Sequence, residues 1–161
     1  MSSIEAKLQA DRNFKLGFEY QLKGDIHRAI DFYKKSLEQK PSPEAHTFLG
    51  WAYSFFGWYD EAIDECRKAL VLDPEFGNAW NDIGAYLIEK GLAEEAIFHL
   101  KKATRAKHYD TYHYAHYNLA RVWIQKGMLN KAVQSLYKAL ECNGQYLPAI
   151  NTLNHLIKQV Q

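Results

Sequence analysis

The stretch GWYDEAIDECRKALVLDP, at residues 57–74, decides the fold of this 161-residue chain, because shortened copies of it recur. The next copies read GLAEEAIFHLKKA at residues 91–103 and GMLNKAVQSLYKAL at residues 127–140. Each copy begins with Gly and has Ala at its sixth position. Its apolar residues are three and four positions apart, which is the spacing of a helix face rather than of a strand. A helical segment is therefore repeated along the chain.

Four columns of small residues give the length of the repeat. Within each column the residues are separated by 33, 34 and 36 positions. The columns are Gly17, Gly50, Gly84 and Ala120; Gly24, Gly57, Gly91 and Gly127; Ala29, Ala62, Ala96 and Ala132; and Ser36, Ala69, Ala103 and Ala139. Chance does not explain four columns with the same irregular separations. The sequence predicts four repeats, at about residues 10–42, 43–76, 77–112 and 113–146, in a single domain that spans residues 1–161.

Each repeat contains two predicted helices. The column that begins with Gly24 falls between them, where a residue free to adopt positive φ can end one helix and turn the chain. The other small residues allow the two helices to approach closely, and the bulky residues beside them are predicted to form the core. These bulky residues are Tyr20, Tyr53, Leu87 and Trp123 on the first helices, with Tyr33, Cys66, Leu100 and Leu136 on the second.

These positions resemble the tetratricopeptide-repeat pattern, in which Trp, Leu-Gly and Tyr lie on the first helix and Ala, an aromatic residue and Pro mark the second helix and its exit. The second repeat carries the pattern as Leu49, Gly50, Tyr53, Ala62 and Pro74. The resemblance implies an all-α fold, a right-handed α-solenoid of helix-turn-helix repeats. Residues 147–161 resemble the amphipathic helix that caps the last repeat of such a solenoid.

The connection between the third and fourth repeats departs from the pattern. His108 stands where the terminal Pro is expected, and the separation of 36 implies two extra residues within about 107–113. We therefore expect an irregular junction there.

The resemblance also implies a concave groove lined by the first helices, where this family binds extended peptides or helices of partner proteins. Projection of these helices gives an aromatic set and a polar set of groove residues. The aromatic set is Phe14, Phe18, Phe48, Trp51 and Phe55, and the polar set is Asn78, Asn81, Tyr117, Asn118 and Arg121. We expect the rings to anchor apolar side chains of a ligand, the amides to bond its backbone and Arg121 to bind a carboxylate. The alternative is that some rings pack against neighbouring helices.

One known type of ligand does not fit. Repeats that bind the acidic carboxyl termini of heat-shock chaperones use a clamp of Lys, Asn and Arg side chains. The corresponding positions here are Phe14, Phe18, Phe48, Asn78 and Asp82. We therefore do not expect a chaperone-tail adaptor of that kind.

Other classes of function find little support in the sequence. Twenty basic and nineteen acidic residues give a net charge of +1, which favours neither nucleic acid nor an anionic membrane. No phosphate-binding loop, nucleophile elbow or helical HExxH motif occurs, so we expect neither an enzyme nor a cofactor. The carboxylate pairs Asp60 with Asp64 and Glu61 with Glu65 are predicted to lie on a solvated convex face.

The remaining polar features are also predicted to be structural. His108, His113 and His116 with Asp110 complete no metal-ligand pattern, so they are predicted to lie between repeats and at the groove edge without metal. Cys66 and Cys142 are predicted to be free thiols on helices. The first dozen residues are charged and resemble no secretory signal, which favours a cytoplasmic protein.

The sequence favours a scaffold or adaptor that binds a peptide or helix of another protein, as a monomer or weak homodimer. A second hypothesis is a self-associating assembly unit, which would use the aromatic half of the groove or the edge around residues 1–8.

Overall fold

The computed structural model describes residues 1–160, in which the chain forms nine α-helices. The helices are α1 (Ser3–Leu22), α2 (Ile26–Gln39), α3 (Pro43–Ser54), α4 (Tyr59–Leu72), α5 (Gly77–Glu89), α6 (Ala93–Ala103), α7 (Tyr112–Gln125), α8 (Leu129–Cys142) and α9 (Leu147–Val160). The prediction of an all-α chain built from pairs of helices is confirmed.

The helices belong to two compact units. The first unit is Met1–Pro74 with α1 to α4, and the second unit begins at Glu75 and contains α5 to α9. The two helices of each repeat pack against each other, and the second helix of a repeat also contacts the first helix of the next repeat in the same unit, as α2 does with α3 and α6 with α7. The first helices also meet, α1 with α3 and α5 with α7. Each unit therefore has an inner layer of first helices and an outer layer of second helices.

The turns between paired helices follow the sequence prediction. Gly24, Gly57, Gly91 and Gly127 have φ of 81°, 72°, 77° and 71°. A side chain with a Cβ pays a steric penalty in this left-handed region, which explains why the column contains only Gly.

Small residues inside the helices allow close packing. A Cβ built on Gly50 of α3 would lie 2.8 Å from the carbonyl oxygen of Ala62 on α4. Beside these contacts, Tyr33, Cys66, Leu100 and Leu136 are fully buried, as predicted for the core. Neither Cys66 nor the exposed Cys142 forms a disulfide among the described residues.

The last helix covers the end of the second unit. Leu153 and Leu156 of α9 are buried in one cluster with Ala132 and Leu136 of α8. This is the predicted capping helix as far as Val160; Gln161, which was included in that prediction, lies outside the described residues.

The connection between α6 and α7 is irregular, as the separation of 36 predicts. Its backbone runs parallel to the segment before α5: the His108 N–H donates to the carbonyl of Glu75 at 3.0 Å, and the Gly77 N–H donates to the carbonyl of His108 at 3.2 Å. Tyr109 is buried against Gly77, where a Cβ would come within 2.3 Å of the tyrosine. The extra residues thus attach the connection between α6 and α7 to the start of α5.

The expectation that Glu65 lies on a solvated face is wrong. Its side chain is only 10% exposed and contacts His46 of α3, whereas Asp60, Glu61 and Asp64 on the same helix are exposed. Within residues 1–160, no helix is both long enough and apolar enough to cross a membrane.

Candidate functional site

The five aromatic residues predicted for the groove form one continuous run in the first unit, here called the aromatic patch. Phe14 and Phe18 lie one turn apart on α1, Phe48 and Trp51 lie on α3, and Phe55 follows the end of α3. The centroid of the Phe48 ring is 5.0 Å from that of Phe14, 5.7 Å from that of Phe18 and 5.7 Å from that of Trp51, and all three contacts are edge-to-face. The Trp51 and Phe55 rings follow at 5.6 Å. Helix spacing places the rings of each helix on one face, and the packing of α1 against α3 brings the two faces together.

The inner part of the aromatic patch rests on the core. Tyr33 of α2 is completely buried, and its ring centroid lies 5.7 Å from that of Phe14 and 6.0 Å from that of Phe48. The Tyr33 hydroxyl donates to Oε1 of the buried Gln21 at 2.7 Å, and burial raises the pKa of this phenol. Phe14 and Phe48 thus pack against a neighbouring helix, as the alternative expectation states, and still border the surface.

The outer part of the aromatic patch is open. Phe18 is 37% exposed and Phe55 is 55% exposed, while Trp51 is half-buried between Phe48 and Phe55. These exposed rings add nothing to the core. Their contact with water is unfavourable until a ligand or another protein surface covers them.

The polar set lies in the second unit, and most of its members bind one another. The Asn118 amide donates to Asn81 Oδ1 at 3.0 Å, and Arg121 Nη1 donates to Asn118 Oδ1 at 3.1 Å. Arg121 Nη2 also forms an ion pair with Glu89 at 2.8 Å. Asn81 and Asn118 are each only 8% exposed. Much of the predicted hydrogen-bonding capacity is thus already used within the chain.

Asp82, which is half-buried, joins this polar network through Asn81. Its Oδ1 accepts a hydrogen bond of 3.3 Å from the amide of Asn81. Burial raises the pKa of Asp82 to about 7, although the Asn81 hydrogen bond acts in the opposite direction. Near neutral pH the second unit therefore carries a carboxyl group that is poised to gain or lose a proton.

Tyr117 lies in an aromatic cluster rather than in the polar network. Its ring centroid is 5.4 Å from that of Tyr146, and Tyr146 also contacts Tyr114 at 5.5 Å and His113 at 4.9 Å. Burial of His113 lowers its pKa. Asn78, the remaining member of the polar set, is partly buried near the start of α5. Across the part of the chain that the structure describes, no three His, Cys, Asp or Glu residues are grouped as a metal site.

Two residues of this region are absent from the prediction. Glu89 binds Arg121 across 32 positions, and Tyr146 lies in the connection before α9. The separation of 32 is close to one repeat, which is the one sequence signal that points to the Glu89 contact.

Comparison with known proteins agrees with the repeats seen in the sequence. Two family models described as tetratricopeptide repeat match the chain, one at residues 43–76 and the other at residues 10–43, 77–107 and 113–146. The peroxisomal targeting signal receptor of Candida albicans is 32% identical over 134 residues, which cover 80% of this chain and 22% of the receptor. The small glutamine-rich tetratricopeptide repeat-containing protein 2 of Mycosarcoma maydis is 36% identical over 74 residues, covering 45% of this chain and 21% of that protein. The chain spans about a fifth of the length of these two relatives.

Solved structures show the same fold. The structure of pilF from Pseudomonas aeruginosa superposes with a TM-score of 0.87 at 26% identity, and the match covers 98% of this chain and 70% of that one. A structure of MamA matches with a TM-score of 0.72 at 26% identity over 89% of this chain and 84% of that one. Because family models match most of the chain, it belongs to the tetratricopeptide-repeat family of helical-repeat proteins, which bind other proteins.

Proposed function

We propose that the aromatic patch binds an extended or helical segment of a partner protein through one or two large apolar side chains. The observation that carries the proposal is the continuous run of rings, whose inner members are held against Tyr33 while its ends, Phe18 and Phe55, are exposed. Rings that are already fixed lose little conformational entropy on binding, so the surface is prepared for a ligand.

The available free energy suits the capture of a peptide. An aromatic side chain buries roughly 200 Å², so covering the exposed fractions of Phe18 and Phe55 contributes about 5 kcal/mol at ~25 cal/mol per Å². The apolar surface of the ligand contributes a similar amount, and association and ordering of the peptide offset part of the sum. A short segment with apolar anchors is therefore a sufficient ligand.

The chemistry of the patch favours apolar over acidic ligands. Phe14, Phe18 and Phe48 occupy positions where chaperone-tail repeats carry polar and basic side chains. Similarity to receptors named for a targeting signal supports the capture of a short segment of another protein. In the second unit, a peptide that bonds to Asn118 competes with the Asn81 hydrogen bond, so we propose a secondary part for the polar set.

The experiment is selection of a random peptide library on the wild-type protein, with the Phe18→Ala/Phe55→Ala variant as counter-screen. These two rings are the most exposed of the patch, so their removal leaves the Phe14–Phe48–Tyr33 contacts in place. We expect enrichment of a motif with aromatic or branched apolar anchors that the variant fails to retain. No enrichment, or equal enrichment on the variant, would contradict the proposal.

A second function is favoured by an observation at the start of α1. This helix begins at Ser3, ahead of the first repeat, and Ile4 and Leu8, one turn apart on it, are 74% and 64% exposed, while Met1 just before it is 84% exposed. Such an apolar row is able to pair two copies of the chain through their α1 helices.

Sedimentation velocity at increasing protein concentration tests this self-association. We expect Ile4→Ser/Leu8→Ser to shift the protein to monomer, and Val71→Ser, which changes an equally exposed apolar residue on α4, to leave the distribution unchanged. A wild-type protein that stays monomeric at the highest concentration would exclude this second function.

A further inference from the structure

The outer face of the second unit contains a groove with a basic lining, here called the basic groove. It has a volume of about 470 Å³, lies between α6 and α8, and has residues of α7 at its floor, among them His116. Its charged lining residues are Lys101, Arg105, Lys131 and Lys138. None of the described residues that line it is acidic, so the basic groove is a concentration of positive charge in a chain that is nearly neutral as a whole.

Among residues 1–160, none of the four cations has an ion-pair partner. Elsewhere, Lys68, Arg121 and Lys126 each have one. Lys131 instead lies over the Trp123 ring, with its Nζ 4.7 Å from the ring centroid. Like charges gathered around one groove repel one another, so the arrangement is stabilised by any anion that enters.

The second repeat has a carboxylate at the equivalent place, whereas the first and third repeats have Phe32 and His99 there. There the Glu65 carboxylate accepts from Lys68 at 2.7 Å and lies 2.7 Å from Nδ1 of His46, in a largely buried position. The fourth repeat is 70 positions further along and keeps both basic residues, as His116 and Lys138. At the position of Glu65 it has Ser135, which is 8% exposed. The fourth repeat thus keeps the basic partners of a carboxylate and lacks the carboxylate.

The surroundings of His116 differ from those of His46 in the second repeat. Burial and the Lys138 charge lower its pKa, and Glu141, which does not line the basic groove, counteracts them only in part. The Nδ1 atom is buried and has no hydrogen-bond partner among the described residues. In the second repeat the equivalent Nδ1 is the atom that faces Glu65.

We propose that the basic groove binds a phosphoryl group carried by a partner protein. This group would lie beside His116 and Lys138 as the Glu65 carboxylate lies beside His46 and Lys68 in the second repeat. Four cations exceed the charge of a single carboxylate, while a phosphorylated side chain carries about −1.5 to −2 at pH 7 with three acceptor oxygens. The Arg105 guanidinium is able to bind two of these oxygens at once. Ser135, at the position equivalent to Glu65 of the second repeat, supplies a hydroxyl donor. The site consists of residues outside the aromatic patch and does not depend on the function proposed for it.

The experiment follows the His116 ring signals by NMR while a phosphoserine peptide is added at constant ionic strength, with His116→Gln to assign them. The same peptide with Ser or Glu in place of phosphoserine, inorganic phosphate and sodium chloride serve as parallel titrants. Ser135→Glu restores the carboxylate of the second repeat and should weaken phosphopeptide binding by about tenfold or more, because it fills the site and repels the ligand. Ser135→Gln, its uncharged counterpart, should change the affinity by less than about threefold.

Lys101→Gln/Arg105→Gln gives a second test if either Ser135 variant fails to fold, because both side chains are exposed. This pair should also weaken binding by about tenfold or more. A saturable shift of His116 with the phosphoserine peptide, lost in the charge variants, supports the proposal. Equal binding of the Glu peptide would overturn it in favour of an acidic segment, and binding of inorganic phosphate alone would overturn the assignment to a partner protein. No saturable shift would overturn it altogether.

Discussion

The Nδ1 atom of His46 on α3 lies 2.7 Å from Oε2 of Glu65 on α4, and this contact connects the two helices of the second repeat in a largely buried place. The other oxygen of Glu65 accepts from Lys68 at 2.7 Å. A buried carboxylate is stable only when it is paired, so this group holds α3 and α4 in one relative position.

Removal of the Glu65 carboxylate should destabilise the protein. We expect Glu65→Ala to lower the free energy of unfolding by about 3 kcal/mol, because it leaves a buried imidazole without its partner and also creates a cavity. The control is Asp64→Ala on the same helix, which breaks an exposed pair with Arg67 and should cost less than about 1 kcal/mol. Urea unfolding of both variants measures the difference, and equal midpoints would contradict the prediction.

The same carboxylate should make stability depend on acid. Burial alone would raise the pKa of Glu65, but the hydrogen bonds and charges of His46 and Lys68 outweigh it and lower the pKa below its ordinary 4.5. Stability from this group is therefore present above pH 4.5 and is lost as the pH falls through the lowered value. Unfolding free energies from pH 6 to pH 2 should fall less steeply in Glu65→Gln than in the wild type. Parallel curves would show that Glu65 titrates normally.

Asp82 should have the opposite pH dependence. Its pKa is raised from 3.8 to about 7, so between these values the folded protein holds a proton that the unfolded chain has lost, and stability decreases as the pH rises. We expect Asp82→Asn to stabilise the protein by about 1 to 3 kcal/mol at pH 8 and by much less at pH 4. Asp110→Asn, at an exposed carboxyl group, is the control. The same stability gain at both pH values would contradict the assignment.

Gly50 should not tolerate a methyl group although it lies within a helix. Helix propensity alone predicts that Ala is better than Gly by about 1 kcal/mol. Because the added Cβ would lie 2.8 Å from the Ala62 carbonyl oxygen, we expect Gly50→Ala to cost about 1 to 3 kcal/mol instead. At Gly144 the nearest atom is 3.6 Å away, so Gly144→Ala should be neutral or slightly stabilising. Thermal unfolding of the two variants gives the sign of each effect.

The helical repeat was predictable because its causes lie within single repeats. Gly50 is required by contact with Ala62 only twelve positions away, and Gly57 by its own φ of 72°. Such constraints return with every repeat and become visible as columns. The shared face of Phe14 and Phe18 follows from helix spacing in the same way, whereas their contacts with Phe48 depend on how α1 and α3 pack.

The polar contacts were less predictable because they do not recur as columns: the positions equivalent to Glu65 in the other repeats are Phe32, His99 and Ser135. The burial of Glu65 depends on His46, nineteen positions earlier, and the Asn118 amide binds Asn81 across 37 positions. Their helix faces are visible in the sequence, but the distance between faces is not. The difference in exposure between the inner and outer rings of the aromatic patch likewise depends on Tyr33 of α2, which packs against Phe14 and Phe48.

The central claim is that the aromatic patch is the peptide-binding surface, and the affinity of a selected peptide for matched variants tests it most directly. Fluorescence anisotropy of the labelled peptide compares the wild type, Phe18→Ala/Phe55→Ala and Phe98→Ala, a control that removes a 58% exposed ring from α6. We predict that the double variant binds about tenfold or more weakly and that the control stays within about twofold of the wild type. Equal affinity of the double variant and the wild type, with helicity unchanged, would contradict the claim.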